Sequence, residues 1–128
     1  MASGQISSST TSLTADVPGA HIREAPVVYL GESLFTLHQK VGSFTPQDRA
    51  NAIRDRLTQI ADAPFSNFDA ITVAETEHGT DITLDSMVLL TVTDGDAKPY
   101  ARQRQDLARE YAGKLRTVLH KVRKELSL

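Results

Sequence analysis

Apolar residues recur every three or four positions along the last quarter of the chain, which predicts a long helix over most of residues 99–126. Basic side chains lie mainly off this stripe, and residues 99–103 are expected to be irregular. So regular a stripe is typical of a helix that packs on a core rather than one lying on a membrane. The stripe consists of Leu107, Tyr111, Leu115, Val118, Leu119, Val122 and Leu126.

A second helix is predicted over residues 46–62 by a dense start signal. Thr45 is the expected N-cap, Pro46 is the first helical residue, and Asp48 stands three positions after the cap. This arrangement satisfies free backbone N–H groups and places negative charge at the positive end of the helix dipole. Phe44, just before the cap, is expected to pack back onto the first turn.

Five strand-like runs accompany the two helices. Residues 27–30 and 34–41 flank a short Gly-containing link and predict a hairpin. After the first helix, three further strands are predicted at residues 70–75, 80–85 and 87–92, with turn-forming residues between them.

Alternation within these runs predicts which faces are buried. Phe35, Leu37 and Val41 share one face of the hairpin. The run 80–85 alternates and should have one solvated face, whereas the run 87–92 is apolar almost throughout. That composition predicts a central strand covered on both faces.

The element order β-β-α-β-β-β-α predicts an α+β fold: a small, mostly antiparallel sheet of about five strands with two helices packed on one side. Residues 1–25 are rich in Ser, Thr, Gly and Ala without apolar periodicity, and are interpreted as a flexible tail or linker. Residues 26–126 then form a single α+β domain.

The net charge of −2 is unevenly distributed over the 128 residues. Residues 1–96 carry 5 basic and 13 acidic side chains, whereas residues 97–128 carry 9 basic and 3 acidic ones. Nucleic acid or a membrane surface would suit the basic end, but a helix face packed on an acidic body explains it more simply. Because no aromatic platform for stacking bases accompanies the charge, no nucleic-acid partner is expected. The candidate interaction surface consists of Arg109, Arg116, Lys121 and Lys124.

Residue types of common active sites are missing or scattered. Cysteine is absent, and the four histidines show no paired ligand spacing. Asp94 and Asp96 are similar to the start of a calcium loop, but the remaining ligands do not follow, so helix capping and turn formation explain both. The acidic residues of the predicted 70–85 hairpin are interpreted as a solvated face. We expect no enzyme activity, metal, cofactor or small-molecule ligand.

Neither a membrane-spanning run of about 18 apolar residues nor a signal peptide is expected within the chain. Four segments, taken together and in order, nevertheless resemble one family. The segments are LFTLHQKVGSFTPQDRA (34–50), IRDRL (53–57), LLTVTDGDA (89–97) and DLAREYA (106–112). This set resembles the soluble domain that precedes the transmembrane helices in long-N-terminus members of the bacterial small-conductance mechanosensitive (MscS-like) channels. The resemblance covers about residues 26–125.

The resemblance implies a function. The chain would be the non-catalytic N-terminal soluble domain of such a channel, on the extracytoplasmic (periplasmic) side of the inner membrane of the bacterial cell envelope. Its role would be structural, in assembly, or sensory and regulatory in gating. The implied partners are the transmembrane part of the channel and the neighbouring subunits of a homo-heptamer. The alternative is a free-standing module that binds a protein or envelope component through its basic C-terminal helix.

Overall fold

The computed structural model describes residues 24–126, beginning with a β-hairpin. Strands β1 (Ala25–Tyr29) and β2 (Glu32–Leu37) pair antiparallel. A β-bulge leaves Leu34 without a partner in β1. Because of the bulge, Leu34 and Phe35 are both buried although they are adjacent in sequence.

Helix α1 (Pro46–Ala61) follows the hairpin and confirms the predicted start signal. The Thr45 hydroxyl accepts the backbone N–H of Asp48, and the Asp48 carboxylate accepts the backbone N–H of Thr45, each at 3.1 Å. The apolar side of α1 packs chiefly against the hairpin. Phe44, just before the cap, is 60% exposed. Val41 is 42% exposed, so the prediction that Val41 shares the buried face of β2 is wrong. Strand β2 ends before it reaches Val41.

Strands β3 (Thr72–Glu75), β4 (Thr80–Leu84) and β5 (Met87–Val92) form a second antiparallel sheet in the order β3-β4-β5. Strand β5 therefore lies at an edge, and the prediction that it is central is wrong. Its apolar run has a different cause, because a bulge leaves Leu89 without a partner in β4. Leu89 and Leu90 are consequently both buried.

A short helix, α2 (Asp94–Ala97), and a 3₁₀ turn at Lys98–Tyr100 lead into the long helix α3 (Arg104–Leu126). The irregular segment predicted before α3 is thereby confirmed. Helix α3 packs across the three-stranded sheet and also contacts β2. The Phe35 and Tyr111 rings stack at 4.2 Å between centroids and link the hairpin to α3. The buried residues of the predicted stripe confirm its core-facing role: Leu107, Tyr111, Leu115, Val118, Leu119 and Val122.

The α+β class and the predicted order of strands and long helices are confirmed, with two refinements. The five strands divide between two sheets, and the short helix α2 is added. Residues 1–23 of the predicted 1–25 tail lie outside the described residues, as does the side chain of Leu126. Ala25, the last residue of that predicted tail, belongs to β1. Within the described part of the chain, no helix has the length and apolar character needed to cross a bilayer.

Candidate interaction site

A buried ion pair joins three separate segments of the chain. The Asp96 carboxylate is inaccessible to solvent and accepts both ends of the Arg49 guanidinium fork, at 3.0 and 2.8 Å. It also accepts the backbone N–H groups of His38 at 2.9 Å and Gln39 at 3.0 Å. The backbone N–H and hydroxyl of Thr93 complete six hydrogen bonds, at 3.1 and 3.0 Å. We call these five residues the Arg49–Asp96 hub.

Local sequence signals position the two charged members of the hub. Thr93 caps α2, and Asp96 is the third residue of that helix, where its side chain returns to the cap. Arg49 is the fourth residue of α1, at the end of the first turn that Thr45 caps. The capping role predicted for Asp96 is confirmed.

The electrostatics of the hub indicate that Asp96 holds segments of the fold together rather than binding a ligand or exchanging a proton. Burial by itself would raise the pKa of Asp96, but hydrogen bonds and charge from Arg49, with backbone N–H groups of His38 and Thr93, outweigh burial and hold that pKa below its usual value. The carboxylate is thus ionised at neutral pH. Six donors occupy its oxygen atoms, so it offers no free lone pair to a metal ion or to a substrate proton.

A groove lies beside the hub, between α1 and the outer edge of β5. Its volume is about 370 Å³. Two arginines of α1 cap backbone carbonyls of the adjoining strand, Arg49 on Thr91 at 2.9 Å and Arg56 on Leu89 at 3.2 Å. Such capping protects an edge strand from pairing with other chains. The remaining lining is mostly apolar, with a histidine at the β3–β4 turn: Val41, Phe44, Ala52, Ile53, Leu90, Thr93 and His78.

A second cluster is centred on Arg104, at the end of the three-stranded sheet where β3 finishes. Arg104 of α3 donates to Glu75 at 3.1 Å, to the carbonyl of Thr76 at 2.9 Å and to Asp94 at 3.3 Å. A hydrogen bond from Thr80, followed by the contact with Arg104, lowers the pKa of Glu75. The acidic face predicted for this hairpin is therefore partly neutralised by α3.

The four cations predicted as an interaction surface all lie on α3, where they are spread over an arc of about 140° around the helix. Arg116 is half-buried, and its guanidinium donates to the carbonyl of Ile71 at 3.2 Å, beside β3. At about 100° per residue, Lys121 points roughly 140° away from Arg116 around the helix, towards the β1–β2 hairpin.

The other predicted cations are exposed. Lys121 lies 3.4 Å from Glu32, and Arg109 lies 2.8 Å from Asp106 in the same helix. Exposed pairs of this kind contribute little to stability. Lys124 is exposed on the last turns of α3.

Sequence reasoning missed the groove and the pairing within the hub. It assigned no role to Arg49 or Arg56 and explained Asp96 by capping and turn formation alone. The sequence around Asp96 carries a signal for capping only, and no local pattern indicates Arg49, 47 positions away, as its partner.

Within residues 24–126, no group of three or more His, Asp or Glu side chains is arranged to hold a metal ion. The model of a family described as "Domain of unknown function (DUF8459)" matches residues 26–122. That match spans the hub, the groove and most of α3. No curated protein and no solved structure matches the chain.

Proposed function

We propose that this chain, which belongs to the DUF8459 family, is a non-catalytic domain of a membrane channel similar to the bacterial MscS-like channels. The observation that carries the proposal is that the separate segments of the sequence resemblance meet in space. Arg49 of the first segment binds Asp96 of the third, and Arg56 of the second binds the carbonyl of Leu89 in the third. The matched segments are thus parts of one packed unit, and this supports treating them as a single likeness.

The fourth segment, residues 106–112, supports the same proposal. It lies in α3, where its apolar members are buried against the rest of the fold: Leu107, Ala108, Tyr111 and Ala112. Helix α3 contacts α1 and strands of both sheets. A displacement along α3 would therefore act on the whole domain.

In this proposal the domain lies on the extracytoplasmic side of the bacterial inner membrane, beside copies of itself in a ring of seven subunits. The location and the ring follow from the resemblance alone. The domain would influence gating by making different contacts in the closed and open states, which shifts the population between them. Helix α3 is the physical link between the domain and the membrane part.

Patch-clamp recording tests this role. A flexible Gly-Ser insert placed after α3 in the full-length gene product would uncouple the domain from the membrane part. We expect a changed pressure threshold with unchanged single-channel conductance, because the pore is not altered. An insert of the same length within residues 1–23 serves as the control. An unchanged threshold would contradict the coupling role, and absence of any channel current would contradict the channel itself.

The groove favours a second candidate function, that of a free-standing interaction module. Phe44 and Val41 are 60% and 42% exposed at its rim, next to the cationic Arg56. Photo-crosslinking in cells from position 44, compared with position 109 on α3, separates the two surfaces. Crosslinks to another protein from position 44 alone would support partner binding by the groove. Crosslinks from position 109 alone would support partner binding by the basic face of α3.

A further inference from the structure

The two most exposed large apolar side chains among residues 24–125 are Phe65, at 97%, and Leu30, at 70%. Leu30 is at the tip of the β1–β2 hairpin, and Phe65 is in the loop that follows α1. Single exposed apolar residues are common on protein surfaces and need no explanation. The position of these two in the fold is more informative than their exposure.

Both side chains lie at the end of the molecule where α3 finishes. Lys121 of α3 lies 3.4 Å from Glu32, two residues from Leu30. Arg123 of α3 donates to the backbone carbonyls of Ala63 and Ser66, which flank the Phe65 loop. We call the surface formed by Leu30, Phe65, Lys121 and Lys124 the basal surface.

The Phe65 loop is held firmly, although the Phe65 side chain itself is uncovered. The Arg123 guanidinium stacks over the Phe68 ring, 4.0 Å from its centroid, and binds the loop carbonyls at the same time. The loop backbone is thereby fixed while the Phe65 ring projects outward. Because the loop backbone is fixed, little backbone entropy remains to be lost when the Phe65 ring inserts into another phase.

Charge at this end is balanced. The basic residues Lys121, Arg123 and Lys124 are matched by three acidic residues on the same segments, Glu32, Asp62 and Glu125. Attraction to an anionic surface is therefore weak, and apolar insertion must provide most of any binding energy. Lysine side chains beside inserted apolar groups extend their ammonium groups to the phosphate level of a bilayer.

We propose that the basal surface rests on the lipid headgroup layer, with Phe65 and Leu30 inserted between headgroups and Lys124 donating to lipid phosphate. The proposal rests on the proposed function, in which α3 leads towards a membrane. It assigns a lipid partner and an orientation: the basal surface faces the bilayer, and the groove beside Phe44 faces away from it.

Tryptophan fluorescence tests the proposal directly, because the chain contains no Trp. Three single-Trp variants of the full chain are needed: Phe65→Trp, Leu30→Trp and, as the control, Phe44→Trp, which is also largely exposed. Each is tethered through an N-terminal His tag to phosphatidylcholine vesicles that contain a nickel-chelating lipid. The described chain begins at Glu24, beside His38 at the open end of the hairpin. The described fold therefore begins at the end of the hairpin opposite to Leu30.

We expect the emission of the Phe65→Trp and Leu30→Trp variants to shift to shorter wavelength and to be quenched by brominated lipid, with no change for Phe44→Trp. Replacing part of the phosphatidylcholine by phosphatidylglycerol should change these emission shifts little. Absence of a shift in Phe65→Trp would overturn the proposal, as would equal shifts in Phe65→Trp and Phe44→Trp. A shift that develops with protein concentration before vesicles are added would also overturn it, because the surface would then be a protein contact.

An untethered flotation assay provides a second measurement. Phe65→Asp should reduce flotation with the vesicles, whereas the matched Phe44→Asp should not, and equal flotation of the two variants would contradict the proposal. A failed vesicle test removes the lipid contact only. The patch-clamp measurement of gating still decides the proposed function independently.

Discussion

Arg49 lies beside the β5 edge of the three-stranded sheet, Arg104 lies at the end of the sheet where β3 finishes, and the two make contacts of the same kind. Each binds a carboxylate, and each also donates to a backbone carbonyl beside the sheet. Their side chains are similarly covered, with 10% and 14% exposed. The arginines alone therefore do not distinguish the two clusters.

The carboxylates distinguish them. Asp96, bound to Arg49, is fully buried, whereas the Arg104 partners Glu75 and Asp94 are 46% and 83% exposed. If Arg104 is removed, its partners can be hydrated by solvent, whereas Asp96 and Arg49 each depend on the other for charge compensation. The exposure of the acid, rather than the presence of an ion pair, therefore decides whether the pair holds the fold together.

The largest expected effect comes from Asp96→Ala, which leaves Arg49 buried without its charge partner. Breaking a buried pair in this way costs about 3–5 kcal/mol of unfolding free energy. The matched control is Asp94→Ala, two residues away, where the carboxylate is 83% exposed and contacts Arg104 only at 3.3 Å. Urea denaturation measures both variants. Similar losses for the two would refute the distinction between the clusters.

The second-largest loss of stability is expected for Gly79→Ala, which disturbs β5, the strand whose Thr91 carbonyl Arg49 binds. A Cβ atom at this position would lie 2.6 Å from Cγ2 of Thr91 and 2.7 Å from the carbonyl oxygen of Val92. We expect a loss of about 1–3 kcal/mol, typical of overpacking. Gly113→Ala on α3 is the control, because its nearest neighbouring atom is 3.9 Å away. The unfolding free energy of Gly113→Ala should rise by about 0.5–1 kcal/mol, because Ala has the higher helix propensity. A rise in the unfolding free energy of Gly79→Ala would contradict the close approach of β5 to Gly79.

A smaller change is expected in how the stability of the fold depends on acid pH. Because the folded-state pKa of Asp96 is lowered, its ionised form stabilises the fold fully above about pH 3.8, the ordinary pKa of Asp. This contribution is lost as the pH falls from there through the lowered pKa. The stability difference between the wild type and Asp96→Asn should therefore narrow below that pH, as followed by urea denaturation. A difference that widens on acidification would show that the pKa is raised instead.

The smallest effect is expected for Arg104→Ala. It should lose less stability than Arg49→Ala, because the exposed Glu75 and Asp94 regain water. Its loss should also shrink in concentrated NaCl, which screens exposed charges, whereas the loss for Arg49→Ala should persist. Denaturation of both variants at low and high salt checks this order, and a salt-independent loss for Arg104→Ala would contradict it.

Local sequence signals predicted the parts of the fold that depend on local physics. The Thr45–Asp48 capping box and the apolar stripe of α3 follow from residues three or four positions apart, which are neighbours on one helix. The α+β class followed from the order of such elements. The division of the strands into two sheets depends on contacts between distant segments, and periodicity carries no information about those contacts.

The candidate site was harder to predict for the same reason. Arg49 and Asp96 are 47 positions apart, so their hydrogen bond leaves no local pattern. The run at β5 looked like a central strand because the bulge at Leu89 buries two consecutive leucines. The basic end of the chain looked like one patch, but helix geometry points Arg116 and Lys121 in different directions.

The most direct test of the proposed function is to locate the natural gene product in cells. Antibodies against the 128-residue chain should detect a polypeptide much larger than the chain itself, in the membrane fraction and resistant to an alkaline wash. In spheroplasts, the epitope should be removed by protease added outside the cell. A polypeptide of the size of this chain in the soluble fraction would contradict the channel proposal and favour the free-standing interaction module.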